Sequence, residues 1–159
     1  MKKKTILWVT VPLLLLGLVL INWNYISQSL EWKLNWEFEA PRTTKIETVF
    51  DTKNGFPAEG ETFWILKYRT IENKLTEKDG WKPINQESID IVSKLLENFQ
   101  KNTADINHDT QNYKRLFQEY PVNFTIHDRY FYKLDADNSY ILAISNSNEH
   151  KLYVMEWIQ

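Results

Sequence analysis

Residues 5–30 carry no charge, and they follow directly on Lys2-Lys3-Lys4; within them an apolar run from 6 to 21 is broken only by Thr10, Pro12 and Gly17. Crossing about 30 Å of hydrocarbon takes about 20 mostly apolar residues in a helix, and the stretch 6–26 is 21 residues long. A helix satisfies its own backbone hydrogen bonds, so a lone apolar segment crosses a bilayer in that form. Pro12 falls in the second turn, where few such bonds are lost and only a mild kink follows. Trp8 sits near one end, and Trp23 and Tyr25 near the other, where amphipathic rings favour the headgroup layer. The lysines before the segment, with Glu31 as the first charge after it, predict a cytoplasmic N-terminus and an extracytoplasmic remainder. A cleaved signal peptide would end in a small-residue cleavage site directly after the apolar run. Ser27-Gln28-Ser29 is small-x-small but lies beyond a polar and aromatic border, so the expectation is an uncleaved signal anchor. The chain has no cysteine, which excludes a lipid-modified cysteine.

The predicted organisation is a cytoplasmic basic tail at 1–4, a transmembrane helix at 5–26, a juxtamembrane segment at 27–43 and an extracytoplasmic domain at 44–159. That last stretch is long enough for one compact domain and short for two. All 21 acidic residues lie beyond the apolar run against 16 of the 19 basic ones, a net charge of −5 for that part. No basic stripe interrupts it, which argues against a nucleic-acid partner, since phosphate binding needs clustered Lys and Arg. The absence of cysteine removes disulfides, thiol catalysis and thiolate metal sites together. Stability must then come from the core, and seven Trp, eight Tyr and eight Phe supply material for one.

Along the chain, Leu30, Trp32, Leu34, Trp36 and Phe38 alternate with Glu31, Lys33, Asn35, Glu37 and Glu39, the period of a half-buried strand at 30–39. The competing reading continues the helix, with Trp32 and Trp36 on one face. Residues 45–52 read as a strand, and 54–60 as a turn-rich loop. Residues 61–69, aromatic, β-branched and apolar on both faces, read as the central strand. A short charged helix is expected at 71–78. Asn85 looks like a helix cap ahead of a stripe made by Ile89, Val92, Leu95, Leu96 and Phe99, followed by a polar loop at 102–110. Asp109 or Thr110 caps a second helix carrying Tyr113, Leu116, Phe117 and Tyr120, closed by Pro121. Strands are expected at 122–126, 129–134, 138–145 and 151–158, with Asp- and Asn-rich turns between the last three. The predicted fold class is α+β: an N-terminal transmembrane helix, then an antiparallel sheet with one main helix packed across it.

The stretch Asp51-Thr52-Lys53-Asn54-Gly55-Phe56-Pro57-Ala58-Glu59-Gly60-Glu61-Thr62, followed by Trp81-Lys82-Pro83-Ile84, resembles a group of small membrane-anchored Gram-positive proteins. In that group an Asp-Thr-His-Gly-Gly-Phe-x-Gly-Asp-Gly-Glu loop precedes an apolar strand, and a Trp-x-x-Leu-Pro element precedes a helix. The resemblance continues from Val122-Asn123-Phe124-Thr125 through Lys151-Leu152-Tyr153 and spans roughly 44–159. Here Lys53 stands in place of the histidine, and Asn54, Ala58 and Glu59 in place of Gly, Gly and Asp. The resemblance implies the domain limits and a Gram-positive envelope; it implies no activity.

The loop at 54–60 offers the best candidate for a ligand or partner contact, through Gly55, Phe56, Glu59 and Gly60: its glycines allow turn positions of positive φ. The plain alternative is a hairpin connection. It is no phosphate loop, lacking the lysine and the spacing. Trp81, beside Gly80 and Pro83, is a further candidate contact; buried, it would be core. Asp135-x-Asp137-x-Ser139 opens like a calcium loop, but its sixth position is Tyr140 and its twelfth Asn146; Asp105-x-Asn107-x-Asp109 fails in the same way. His108, His127 and His150 are isolated in sequence, although Asp128 is placed to orient His127. Glu59 and Glu61 form a carboxylate pair of the kind used in sugar hydrolysis. No catalytic signature, metal set or cofactor motif emerges. The reading is a single-pass membrane protein whose outer domain is a binding or accessory module for an envelope protein, a peptide or a wall component. The alternatives are a carboxylate-based envelope hydrolase and an immunity- or inhibitor-like membrane partner acting through its helix.

Overall fold

In the computed structural model, residues 27–55, 59–71 and 75–159 are described. The chain divides into two compact units, Met1–Glu39 and Ala40–Gln159. The apolar run at 5–26 and the Phe56 position lie outside the described residues. Among those residues no helix is long and apolar enough to cross a membrane.

In the first unit, residues 27–36 are helical (α1), which corrects the strand expected at 30–39. A strand would turn its five apolar residues to one side. Instead Trp32 and Trp36 are 0% and 2% exposed while Leu30 and Leu34 are 54% and 73% exposed. That split follows from helical geometry, because residues four apart share a face and residues two apart do not. Glu37 takes a left-handed conformation (φ 55). Its N–H donates to the Lys33 carbonyl (3.1 Å) and that of Phe38 to the Trp32 carbonyl (3.2 Å). Phe38 thereby folds back edge-on to Trp32 at 5.6 Å, a hydrophobic contact of the kind that often accompanies such a helix end. The apolar alternation therefore combines two helix faces and a chain reversal.

The second unit is α+β. Strands β1 (Lys45–Asp51), β2 (Gly60–Lys67), β3 (Lys82–Pro83), β4 (Arg129–Leu134), β5 (Tyr140–Asn146) and β6 (Lys151–Ile158) form one sheet in the order β1-β2-β6-β5-β4-β3. Every pairing is antiparallel. β2 is buried on both faces, but it lies second from the edge, and β6 and β5 hold the middle. Helices α2 (Ile89–Ile106) and α3 (Thr110–Glu119) complete the unit. Val92, Leu96 and Phe99 of α2 join Phe63, Ile65, Leu142, Ile144, Tyr153 and Met155 in one core, with Phe117 of α3 packed against it. Two helices, not one, therefore contribute to this core. Phe117 lies 6.0 Å from Phe50, 6.3 Å from Phe63 and 6.3 Å from Phe99, ring centre to ring centre.

Several local expectations need correcting. α2 runs on through 102–106, because buried Thr103 and Ala104 extend its apolar face. Asn85 acts one turn earlier than a simple cap: its Oδ1 accepts from the N–H groups of Glu87 (3.0 Å) and Ser88 (2.9 Å), and its carbonyl from Ile89. Asp109 caps α3 as expected, accepting from the Asn112 N–H. Of the helix expected at 71–78, residues 72–74 lie outside the described set; a single 3-10 turn, Glu77–Asp79, is present. Residues 122–126 are not a strand. Val122 and Phe124 do face the core, but side chains bind this backbone in place of a ladder: Asn146 Nδ2 donates to the Asn123 carbonyl (3.0 Å), and the Thr125 N–H donates to Asp128 Oδ2 (2.8 Å).

Candidate binding cleft

Strands β1 and β2 form a hairpin that closes at an isolated pair, Asn54 and Glu59, each donating its N–H to the other's carbonyl (3.0 and 3.2 Å). Gly60 begins β2 with φ +142. A Cβ there would come within 2.9 Å of the backbone of Thr52 and Lys53, so the two strands approach this closely only because the residue has no side chain. In register, Gly60 faces Ile158 and Glu61 faces Trp157. The end of α2 reaches the same place, and an open cleft of about 570 Å³ forms there, with Glu59, Gly60, Glu61, Ile106, Asn107 and Trp157 among the residues around it.

Glu61 is the chemical centre of the cleft. It is in phase with Phe63 and Ile65 along β2, so the strand's alternation turns a carboxylate toward the core face. The residue is only 4% exposed. Its Oε2 accepts from the Thr52 hydroxyl (2.6 Å) and from Asn107 Nδ2 (3.2 Å). The same Thr52 oxygen accepts from the Glu61 N–H (2.8 Å), and Asn107 Nδ2 also donates to the Thr103 carbonyl (2.8 Å). Asn107 thus ends α2 and holds the carboxylate at once. Trp157 stacks on Tyr140 at 6.1 Å and 5°. The Tyr140 hydroxyl is buried without a partner among the described residues. Burial, then the neighbouring Tyr132 and Glu61, push it well above the ordinary tyrosine value.

Of the residues singled out in the sequence, Glu59, Gly60 and Glu61 line this cleft. Gly55 is exposed in the hairpin loop with φ 84, and Phe56 lies outside the described residues. Trp81 is 1% exposed and packs on Phe131 at 6.0 Å, a core position. His127 and Asp128 do not work together. Asp128 is buried and directed to Thr125, through N–H and hydroxyl, and to the Ser147 N–H (2.7 Å), while His127 is exposed. His108 and His150 are left-handed turn residues (φ 51 and 52). Among the described residues no three His, Cys, Asp or Glu side chains gather as a metal site. Sequence reasoning missed Thr52, Ile106 and Asn107. The available signal was a glutamate in phase with core residues, since a buried carboxylate needs donors brought to it. No family model, curated protein or solved structure matches this chain.

Proposed function

We propose that this chain is a single-span membrane protein of a Gram-positive envelope, with its N-terminus cytoplasmic. Its outer domain serves as a binding or accessory module for an envelope protein, a peptide or a wall component. The cleft at the hairpin end of the sheet is the ligand site in this reading. One observation supports it above the others: Glu59 and Gly60, from the loop that the sequence marks for a special backbone, meet the end of α2 and the end of β6 around an open hollow with a buried carboxylate at its base. The apolar run at 5–26 supports the tether.

The test is crosslinking on intact cells through a tagged full-length chain, comparing the natural sequence with Ile106→Trp, which fills the cleft from an exposed position without changing charge. One recurrent partner whose capture is lost in Ile106→Trp is the expected result. Capture unaffected by Ile106→Trp would remove the cleft from the reading. Capture that survives in Ile106→Trp but disappears when 6–26 is exchanged for an unrelated apolar helix would favour a partner recognised within the membrane.

A further inference from the structure

We infer that the cleft receives a positively charged side chain, lysine or arginine, from a peptide or protein partner, with Glu61 as its counter-charge; this rests on the cleft being the ligand site proposed above. A carboxylate withdrawn from water is costly unless donors or an opposite charge replace the solvent. Glu61 is compensated on one side only. Both of its side-chain donors, Thr52 and Asn107, bind Oε2. Oε1 accepts nothing among the described residues, and Glu61 is one of the residues that line the cleft. No lysine, arginine or histidine of the described residues forms an ion pair with Glu61.

The surroundings carry the same sign. Among the described residues the other ionisable side chain at the cleft is Glu59, and no basic side chain lines it. The carbonyl end of α2 terminates there, and its last turn contains no basic residue, so the negative end of the helix dipole meets no cation of its own helix. Half-exposed Ile106 and neighbouring Ile158 offer an apolar wall of the kind that the aliphatic stem of a long cationic side chain covers. A metal ion fits less well. Calcium takes about six to eight oxygen ligands, whereas here one Glu61 oxygen is already engaged and Asn107 turns its amide nitrogen to the carboxylate.

The experiment titrates the full-length chain in detergent micelles with Nα-acetyl-lysine methylamide and, separately, with its uncharged norleucine counterpart. The Asn107 side-chain amide and the Trp157 indole N–H are followed by nitrogen-15 NMR. Saturable shifts with the lysine probe, about tenfold weaker with norleucine, are expected, the loss that removing one charge-assisted hydrogen bond brings. Glu61→Gln keeps an oxygen for Thr52 and Asn107, so it folds, and it weakens the lysine probe by about tenfold while leaving norleucine unchanged. Equal binding of both probes, an unchanged lysine affinity in Glu61→Gln, or no shift with either probe would each overturn the inference. So would calcium chloride moving the same two signals in place of the lysine probe. In the cellular assay, capture lost in Ile106→Trp but intact in Glu61→Gln would leave the cleft as the ligand site and remove the cation from it.

Discussion

Replacing Gly60 with alanine tests whether the hairpin base sets the geometry of the cleft. The added Cβ would meet three backbone atoms, the Lys53 Cα, the Lys53 nitrogen and the Thr52 carbonyl carbon, each at 2.9 Å. Backbone cannot swing aside as a side-chain tip does. The φ of +142 adds strain of about 1–3 kcal/mol for any residue with a side chain. Relieving the contacts means moving 52–53 away from β2, which strains the Thr52 N–H bond to the Glu61 carbonyl (2.9 Å) and the Glu61 N–H bond to the Thr52 hydroxyl (2.8 Å). Losing one such bond costs about 1 kcal/mol, and the stiffer unfolded chain of the alanine variant returns about 0.4–1 kcal/mol. The net expectation is a loss of about 1–3.5 kcal/mol. With a urea dependence of about 1.5 kcal/mol per M, the unfolding midpoint falls by about 0.7–2.3 M.

Urea unfolding followed by tryptophan fluorescence measures this loss directly. Gly80→Ala provides the contrast within the same unit. There the φ is +81, and the Cβ would meet the Phe131 ring edge at 2.8 Å, a group able to pivot, so the cost is about 1–2 kcal/mol of backbone strain. A Gly60→Ala loss below about 0.5 kcal/mol, within the range of neutral surface changes, would refute the reasoning. So would Gly80→Ala proving the more damaging of the two.

Phe99→Ala removes a fully buried ring stacked at 6.2 Å on Phe50, and a loss of about 3–5 kcal/mol is expected in the same urea assay. Asp128→Ala leaves the Thr125 and Ser147 N–H groups without their acceptor. A cost of about 2–6 kcal/mol follows, at about 1–3 kcal/mol per orphaned group, with faster hydrogen exchange at those two amides as its signature. The hydrogen bond from Lys151 holds the Glu149 carboxyl below its ordinary 4.5, burial working against this and Asn123 and Asn146 assisting; the Lys67 hydrogen bond does the same for Glu47. Both groups are lower in the folded chain, so their stabilisation is complete above 4.5 and lost as pH falls through the folded values. Urea midpoints measured from pH 7 to pH 3 should decline below that point, and less steeply in Glu149→Gln.

The parts of the fold that were legible in the sequence are those where one local signal has no competitor. Asp135 to Asn138 and Asn146 to Glu149 punctuate β4, β5 and β6, and the stripe from Ile89 to Phe99 repeats at helical spacing. Asp109 sits where a helix needs an acceptor. Illegible parts arise where two structures satisfy the same pattern. Residues 30–38 alternate as a strand does, yet Trp32 and Trp36 are also four apart. Val122, Phe124 and Ile126 alternate too, but the Asn123 carbonyl is taken by Asn146, and the Thr125 N–H and carbonyl by Asp128. The two-residue β3 could not be read from periodicity at all, and Pro83 confines it to an edge.

For the cleft, the sequence revealed the loop but not its purpose, because the deciding feature is an asymmetry between two carboxylates distant in sequence. Thr52 and Lys53 are consecutive and serve opposite faces of the sheet. Lys53 reaches Glu156, fully buried, with Nζ 3.5 Å from Oε2, and the Thr62 hydroxyl adds a bond at 3.2 Å. Lys53 Nζ also lies 5.4 Å from the centre of the Trp64 ring. Thr52 reaches Glu61 with a hydroxyl and no charge. One hairpin thus supplies a buried carboxylate on each face with a hydroxyl, and supplies a cation to one of them. Burying Glu156 with its lysine is the ordinary solution for a charge inside a protein. Glu61, 4% exposed against 0% for Glu156, lies in a strand of the same sheet, but it opens onto a hollow in place of an ammonium. Stability alone would favour an apolar residue in phase with Phe63 and Ile65. A carboxylate there, with one oxygen held in position and the other without a donor among the described residues, fits the proposal that its counter-charge comes from outside the chain.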